Sequence, residues 1–144
     1  MIRAIEIGGK EIEFKASAVT SILYKRAFKK DLTSEFSEYV KKYRLVKALK
    51  DDIENKDENE KIDVLSKNAE ILELSNAAQE LFPQLAYIMY LEANVEQREI
   101  FKKLSEEEFI FWLSQFETAD FQNHYSDFME MWNSNAHTSV KPKN

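Results

Sequence analysis

The chain has 144 residues, no cysteine and a formal net charge of −6. This length suits one domain, and the lack of cysteine excludes disulfides and thiolate zinc sites. The acidic balance disfavours a nucleic-acid groove, which needs a basic face, and no apolar stretch approaches the length that spans a membrane. Only 2 glycines and 2 prolines interrupt the chain, which predicts long helices. The lack of cysteine and of a membrane-spanning stretch leads us to expect a soluble intracellular protein.

The first fifteen residues predict a β-hairpin. Gly8-Gly9 stands between two runs in which apolar and polar residues alternate. Both glycines can adopt the positive φ of a primed two-residue turn, which would place Ile5 opposite Ile12. Because an isolated hairpin is marginal in water, we expect its apolar face to pack on helices.

Two helices are predicted next. The first carries a stripe of Val19, Ile22, Leu23 and Ala27, with Tyr24 and Phe28 beside it. Residues 31–34 predict a break and a new N-cap. The second helix carries apolar residues three and four apart, the clearest periodic signal in the chain: Phe36, Tyr39, Val40, Tyr43, Val46, Leu49 and Ile53.

The middle of the chain holds a charged segment and an internal proline. Residues 50–61 include nine charges among twelve positions, which predicts a solvated loop or helix end. Its acids lack the glycine of a calcium loop, so we predict no metal site there. A helical stripe follows at Ile62, Leu65, Ala69, Leu72 and Asn76. Because proline disrupts a helix interior, we expect a break or kink just before Pro83, a buried helix from about 83 to 93, and Glu92 at its polar edge.

The C-terminal part predicts two further helices and a tail. Residues 105–108, SEEE, form a capping box ahead of Phe109, Trp112, Leu113 and Phe116, and residues 118–120 are expected to end that helix. The last helix carries Phe121, Tyr125, Phe128, Met129 and Trp132. We therefore predict a mainly α fold: a single domain over residues 1–135, in which an N-terminal β-hairpin (1–15) packs on a bundle of about five to six helices. Residues 136–144 are predicted to be a disordered tail.

The sequence holds no motif that supports catalysis. His124 and His137 have no further histidine or cysteine at ligand spacing. The only glycines are adjacent and lie in the hairpin, so no phosphate-binding loop is present, and no nucleophile elbow occurs. We therefore expect a protein that is not an enzyme and that has no catalytic residue, no cofactor and no metal.

The aromatic residues are the most informative set for function. Ten phenylalanines, six tyrosines and two tryptophans are many for a small helical bundle. Aromatic side chains fill cores, and they are also favoured anchors at protein interfaces. The candidate partner-binding residues are Tyr24, Phe28, Trp112, Phe116 and Trp132.

Short motifs in a fixed order cover nearly the whole chain. They are the Gly8-Gly9 hairpin, residues 22–32 (ILYKRAFKKDL), residues 86–89 (AYIM), residues 111–117 (FWLSQFE) and residues 131–135 (MWNSN). This order resembles the tail assembly chaperones of long-tailed phages and prophages of Gram-positive bacteria. The family pattern often has a glycine where Lys29 stands, so Lys29 and Lys30 are expected to let the first helix run on.

The resemblance implies a function in tail assembly. Such chaperones bind the tape measure protein, a long helical chain, and keep it soluble until tail tube subunits polymerise around it. The implied partners are the tape measure protein and the tail tube protein, with self-association as a further option and no nucleic acid or membrane. The implied location is the host bacterial cytoplasm, and the chaperone is expected to be absent from the mature virion.

Two other readings remain open at this stage. One is a different protein-binding role, as a phage head–tail connector or another structural component, or as a small regulatory protein. A connector would stay in the finished particle, whereas a chaperone would not. The other is an enzyme without a recognisable motif, which a deep pocket with converging polar groups would favour.

Overall fold

The computed structural model of the protein describes residues 1–53, 57–60 and 69–137. In these ranges the chain is mainly α-helical, and an N-terminal hairpin packs on a bundle of helices, which confirms the predicted fold class. Two of the helices span only 4 and 5 residues, too few for the periodicity of the sequence to indicate. The elements in chain order are β1 (Ile2–Ile7), β2 (Lys10–Lys15), α1 (Thr20–Phe28), α2 (Leu32–Ile53), α3 (Ala69–Asn94), α4 (Gln97–Ile100), a 3₁₀ turn (Phe101–Lys103), α5 (Glu106–Leu113), α6 (Thr118–Gln122) and α7 (Tyr125–His137).

The hairpin has the predicted register. Gly8 and Gly9 have φ angles of 59° and 82°, and Ile5 lies opposite Ile12. A side chain at Gly8 would also bring its Cβ to 3.0 Å from Asp120 Oδ2, so the turn lies close against α6. The apolar face of the hairpin packs on α3, as expected.

The central element of the bundle is α3, which β2, α1, α2, α5, α6 and α7 all contact. This helix runs without interruption from Ala69 to Asn94 with Pro83 inside it, so a break just before Pro83 is ruled out, and the predicted buried helix from about 83 to 93 is the C-terminal part of α3. An interior proline costs about 3 kcal/mol, because it removes a hydrogen bond and crowds the preceding turn. Every residue from 81 to 89 is buried, and burying one large apolar side chain stabilises by about 1.5–3 kcal/mol. Packing therefore outweighs the effect of the proline.

The end of α1 differs from the prediction. The helix stops at Phe28, and Lys29 adopts a left-handed conformation with φ 60° and ψ 31°. The Lys29 N–H donates to the Lys25 carbonyl at 2.8 Å. The expectation that Lys29 and Lys30 let the helix run on was wrong, because the chain turns here to bring α2 against α3.

Helix α2 begins where the sequence places its N-cap. Asp31 Oδ2 accepts hydrogen bonds from the Ser34 hydroxyl at 2.7 Å and from the Ser34 N–H at 3.0 Å. These bonds from Ser34 hold the pKa of Asp31 below its usual value, because they favour the ionised carboxylate.

The charged segment 50–61 starts as the last turn of α2, and residues 58–60 are helical and exposed. Residues 54–56 and 61 of that segment, and Ile62 and Leu65 of the following predicted stripe, lie outside the described residues.

Helix α5 is shorter than predicted, and α7 extends further than predicted. Ser105 Oγ accepts from the Glu108 N–H at 3.2 Å and caps α5. The expectation that residues 118–120 end this helix was wrong: α5 ends at Leu113, and Thr118 begins the separate helix α6. Helix α7 continues to His137, past the predicted domain limit at residue 135, and residues 138–144 of the predicted disordered tail lie outside the described ranges.

Replacing Lys29 with glycine is expected to stabilise the protein. A residue other than glycine in the left-handed conformation costs about 1–2 kcal/mol. Glycine avoids this cost, but it loses more backbone entropy on folding, which offsets part of the gain in stability. We expect Lys29→Gly to raise the free energy of unfolding in urea by about 0.5–1 kcal/mol. The control Lys25→Gly, inside α1, should lower it by about 1 kcal/mol. A loss of stability in Lys29→Gly would contradict the left-handed cap.

Candidate protein-binding site

The five predicted partner-binding residues lie in three places. Tyr24 and Phe28 are buried on α1, with ring centroids 5.2 Å apart. Trp112 is buried on α5, and its ring lies 5.2 Å from that of the half-buried Phe116. Trp132 is half-buried on α7 and lies apart from the other four, stacked on a ring of α2. Their partner-binding role stays a prediction, and the surface between them holds other apolar side chains.

The Tyr24 side chain makes a buried polar contact with α3. Its hydroxyl donates to Gln84 Oε1 at 2.9 Å, and both residues are buried. Burial raises the pKa of Tyr24 well above its usual value, because an ionised ring would lose its hydration, and Glu35 adds a like charge. Tyr24 therefore fixes the position of α1 on α3.

The same helix leaves two apolar side chains in solvent. The sequence pattern placed Val19 and Ile22 in one apolar stripe with Ala27. Both Val19 and Ile22 are exposed, so the prediction that they share a stripe on the core side was wrong. Helix α1 buries Ala27 together with Tyr24 and Phe28 instead. A helix of nine residues covers α3 along one face only, and the face with two aromatic rings removes more apolar area from water.

A groove lies beside this exposed side of α1, between the helix and the segment 97–101. Its cavity volume is about 290 Å³. We call it the α1 groove; the lining residues that matter most are Ser17, Val19, Ile22, Arg26, Glu92 and Phe101. The groove combines apolar walls with a few polar groups, which is the usual make-up of a binding site in proteins.

A carboxylate marks the base of the α1 groove. Glu92 accepts hydrogen bonds from the Ser17 hydroxyl and from Thr20 Oγ1, the latter at 2.6 Å. Burial raises the pKa of Glu92 above its usual value, although these two bonds and the charge of Lys15 act in the opposite direction. Glu92 thus lies at the polar edge of α3, as predicted, and ties the start of α1 to it.

The far wall of the groove is aromatic. Phe101 is more than half exposed, and the guanidinium carbon of Arg26 lies 5.2 Å from the centroid of its ring. A cation over an aromatic face attracts the ring, so Arg26 holds the wall in place while keeping its charge in solvent. A shallow depression continues from Ile22 and Arg26 along Lys25 and Lys29.

A second apolar surface lies on α5. Ile110 and Phe111 are both exposed, and Phe111 has 81% of its surface in solvent. We call these two residues the α5 apolar pair. A depression of about 380 Å³ beside Phe111 reaches Tyr90 and Trp112. Exposed aromatic groups next to a depression are typical of protein-interaction surfaces.

The sequence contains a signal for the second surface, although Ile110 and Phe111 are not among the candidate partner-binding residues. Residues 109–113, FIFWL, are five consecutive apolar residues in a helix. A helix against a core buries every third or fourth residue, so a run of five must expose some of them. Phe109 and Trp112 face the core, and the α5 apolar pair faces solvent. No comparable signal identified Phe101, whose exposure follows from a 3₁₀ turn.

Comparison with protein-family models, with curated proteins and with solved structures finds no match to this chain. Within residues 1–53, 57–60 and 69–137, no helix combines the length and apolar character needed to cross a bilayer. The same part of the chain holds no group of three or more histidine, aspartate or glutamate side chains arranged to bind a metal.

Removing the Tyr24 hydroxyl is expected to destabilise the protein. Tyr24→Phe leaves the buried Gln84 carbonyl oxygen without this donor, which costs about 1–3 kcal/mol. Urea unfolding of the variant and of the wild type measures the difference. The control Tyr43→Phe, at an exposed tyrosine of α2, should change the free energy of unfolding by less than about 0.5 kcal/mol. Equal stability of Tyr24→Phe and the wild type would rule out this role.

Glu92 is expected to make stability depend on pH. An acid whose pKa is raised on folding binds its proton more tightly in the folded state. Its contribution to the stability of the fold is therefore full at pH values below its ordinary pKa of 4.5, and is lost as pH rises through the pKa of the folded state. Glu92→Gln removes this titration, and the Ser17 and Thr20 hydroxyls can rotate to bond the amide. We expect the free energy of unfolding of Glu92→Gln, relative to wild type, to increase as pH rises from about 4 to 7. A difference that does not change with pH would contradict the burial of this carboxylate.

Proposed function

We propose that this protein is a non-catalytic tail assembly chaperone of a long-tailed phage or prophage. In this role it binds the tape measure protein, and the tail tube protein at a later stage, in the cytoplasm of a bacterial host. It keeps the tape measure protein from aggregating and leaves before the tail is complete. The motif order in the sequence supports the family, and the exposed apolar surfaces support the activity.

Exposed apolar side chains are the observation that supports this proposal. Large apolar side chains of a small helical protein remain in solvent on neighbouring elements: Ile22 on α1, Phe101 in the turn, and the α5 apolar pair. Leaving such groups exposed is unfavourable unless a partner covers them. A long helical chain with apolar faces is such a partner, because amphipathic helices bind in apolar grooves.

The size of the surface suits a partner that must be released. Burying one large apolar side chain stabilises by about 1.5–3 kcal/mol, and association itself costs several kcal/mol of freedom. Insertion of a few partner side chains into the α1 groove then gives affinities on the order of micromolar. Many copies along one tape measure protein would prevent aggregation and still dissociate when tube subunits arrive.

The charge of the protein fits the same role. A net charge of −6 makes neighbouring copies repel one another, and this keeps a complex of many copies dispersed. The apolar surfaces are thus presented on a particle that resists self-aggregation. Neither property requires a catalytic group.

Co-expression with the tape measure protein encoded near this gene tests the proposal. We expect wild-type protein to co-purify with it and to increase its soluble fraction. The variant Ile22→Ser/Phe111→Ser should lose about tenfold or more of this capture, because each serine removes an apolar contact worth about 1.5–3 kcal/mol. The matched control is Leu45→Ser on α2, since Leu45 and Ile22 are 55% and 54% exposed; it should capture as the wild type does.

The content of finished phage particles distinguishes the chaperone role from the connector role. Finished particles are purified and probed for this chain. If it remains in the particles and captures neither the tape measure protein nor the tail tube protein, the chaperone role is excluded and a structural role replaces it.

A further inference from the structure

The surroundings of the α1 groove are basic, although the protein as a whole is acidic. Lys25 and Arg26 of α1, and Lys29 directly after the helix, line the groove or the depression that continues it, and Lys15 of β2 also lines the groove. Glu92 is the only acid among its lining residues. The cations beside the groove thus have the opposite sign to the net charge of the whole chain, which is −6.

No described carboxylate forms a salt bridge with these cations. Lys25, Arg26 and Lys29 are exposed and form no salt bridge with a carboxylate in the described part of the chain. Lys29 Nζ donates to the Arg26 carbonyl oxygen at 2.9 Å, and Arg26 lies over the Phe101 ring. Residues three and four apart share a helix face, so Ile22 lies on the same face as Lys25 and Arg26, and Lys29 lines the same depression. An exposed apolar side chain thus lies beside exposed cations that no described carboxylate pairs.

The acid in the groove does not balance these cations. Both carboxylate oxygens of Glu92 accept hydrogen bonds, one from Ser17 and the other from Thr20. The Glu92 carboxylate is half-buried, whereas Lys25, Arg26 and Lys29 are exposed. The three cations are therefore more accessible than Glu92 to a partner that approaches from solvent.

The cavity sets the shape of the partner. A volume of about 290 Å³ between Ile22 and Phe101 is too small for a whole helix and large enough for apolar side chains that project from one. Such side chains recur at intervals of three and four along an amphipathic helix. The residues beside that stripe would then lie over α1.

We infer that the α1 groove binds a partner helix whose apolar stripe is flanked by glutamate or aspartate. Its apolar side chains enter the cavity between Ile22 and Phe101, and its carboxylates pair with Lys25, Arg26 and Lys29. Exposed ion pairs add little affinity, but they orient a partner and exclude one with the opposite charge. This inference deepens the proposed function, because it states which segments of the tape measure protein bind in the groove. The inference rests on the proposed function only for the identity of the partner.

Two synthetic peptides test the inference directly. Both are about 20 residues long, roughly 30 Å of helix, with the same leucine stripe; one has glutamate beside the stripe and the other has lysine. We expect wild-type protein to bind the glutamate peptide about tenfold more tightly in a fluorescence anisotropy titration, and added salt to reduce this preference. The variant Lys25→Glu/Arg26→Glu/Lys29→Glu should reverse the order of the two peptides.

A matched charge change supplies the control. Arg44→Glu/Lys47→Glu/Lys50→Glu alters the net charge equally on exposed positions of α2 and should keep the wild-type preference. The inference is overturned if the α1 variant keeps that preference, or if wild-type protein binds vesicles that contain phosphatidylserine but neither peptide.

Capture of the tape measure protein separates the two proposals. If the α1 variant captures it as well as wild type does, the inference fails and the chaperone role stands. If the peptides show the reversal but wild type captures no tape measure protein, the groove binds acidic helices and the chaperone role fails.

Discussion

Burial of the middle of α3 is the constraint on which the rest of the structure depends. Residues 81–89 are buried on all sides, and a helix that is apolar all round requires a cover in every direction. The hairpin, α1, α2 and the C-terminal helices each supply one part of that cover. The rings of Phe36, Tyr39 and Tyr125 surround Phe82 at centroid distances of 6.0, 5.1 and 4.8 Å. Pro83 is tolerated inside this helix because the surrounding contacts are so extensive.

The exposed surfaces follow from the same constraint. Short helices such as α1 and α5 can place only one face on α3, and each carries more apolar residues than that face accepts. The side chains left over, Ile22 on α1 and the α5 apolar pair, face solvent. A partner helix that covers them would extend the pattern by which the domain covers α3, so the proposed binding reuses the packing of the fold itself.

Polar contacts decide how α1 is oriented. Glu92 and Gln84 of α3 bond Thr20 and Tyr24, the first and the middle residue of α1. These contacts fix the rotation of α1 about its axis, because a buried polar group that loses its partner is costly. With that rotation fixed, the basic residues and Ile22 share the open side. The positive edge of the α1 groove is therefore a consequence of two hydrogen bonds to the central helix.

The sequence by itself determined the features that arise within a few residues. Gly8-Gly9 imposed the hairpin register, and Asp31 and Ser105 started α2 and α5, since turns and caps depend on local backbone geometry. It could not show that α3 continues through Pro83, that Lys29 would be left-handed, or that Ile22 would face solvent. The sequence also could not tell which aromatic residues lie in the core and which at the surface, because local periodicity offers several helix faces of similar apolar content. Only the competition among all elements to cover α3 decided which face was buried, and with it where the candidate site lies.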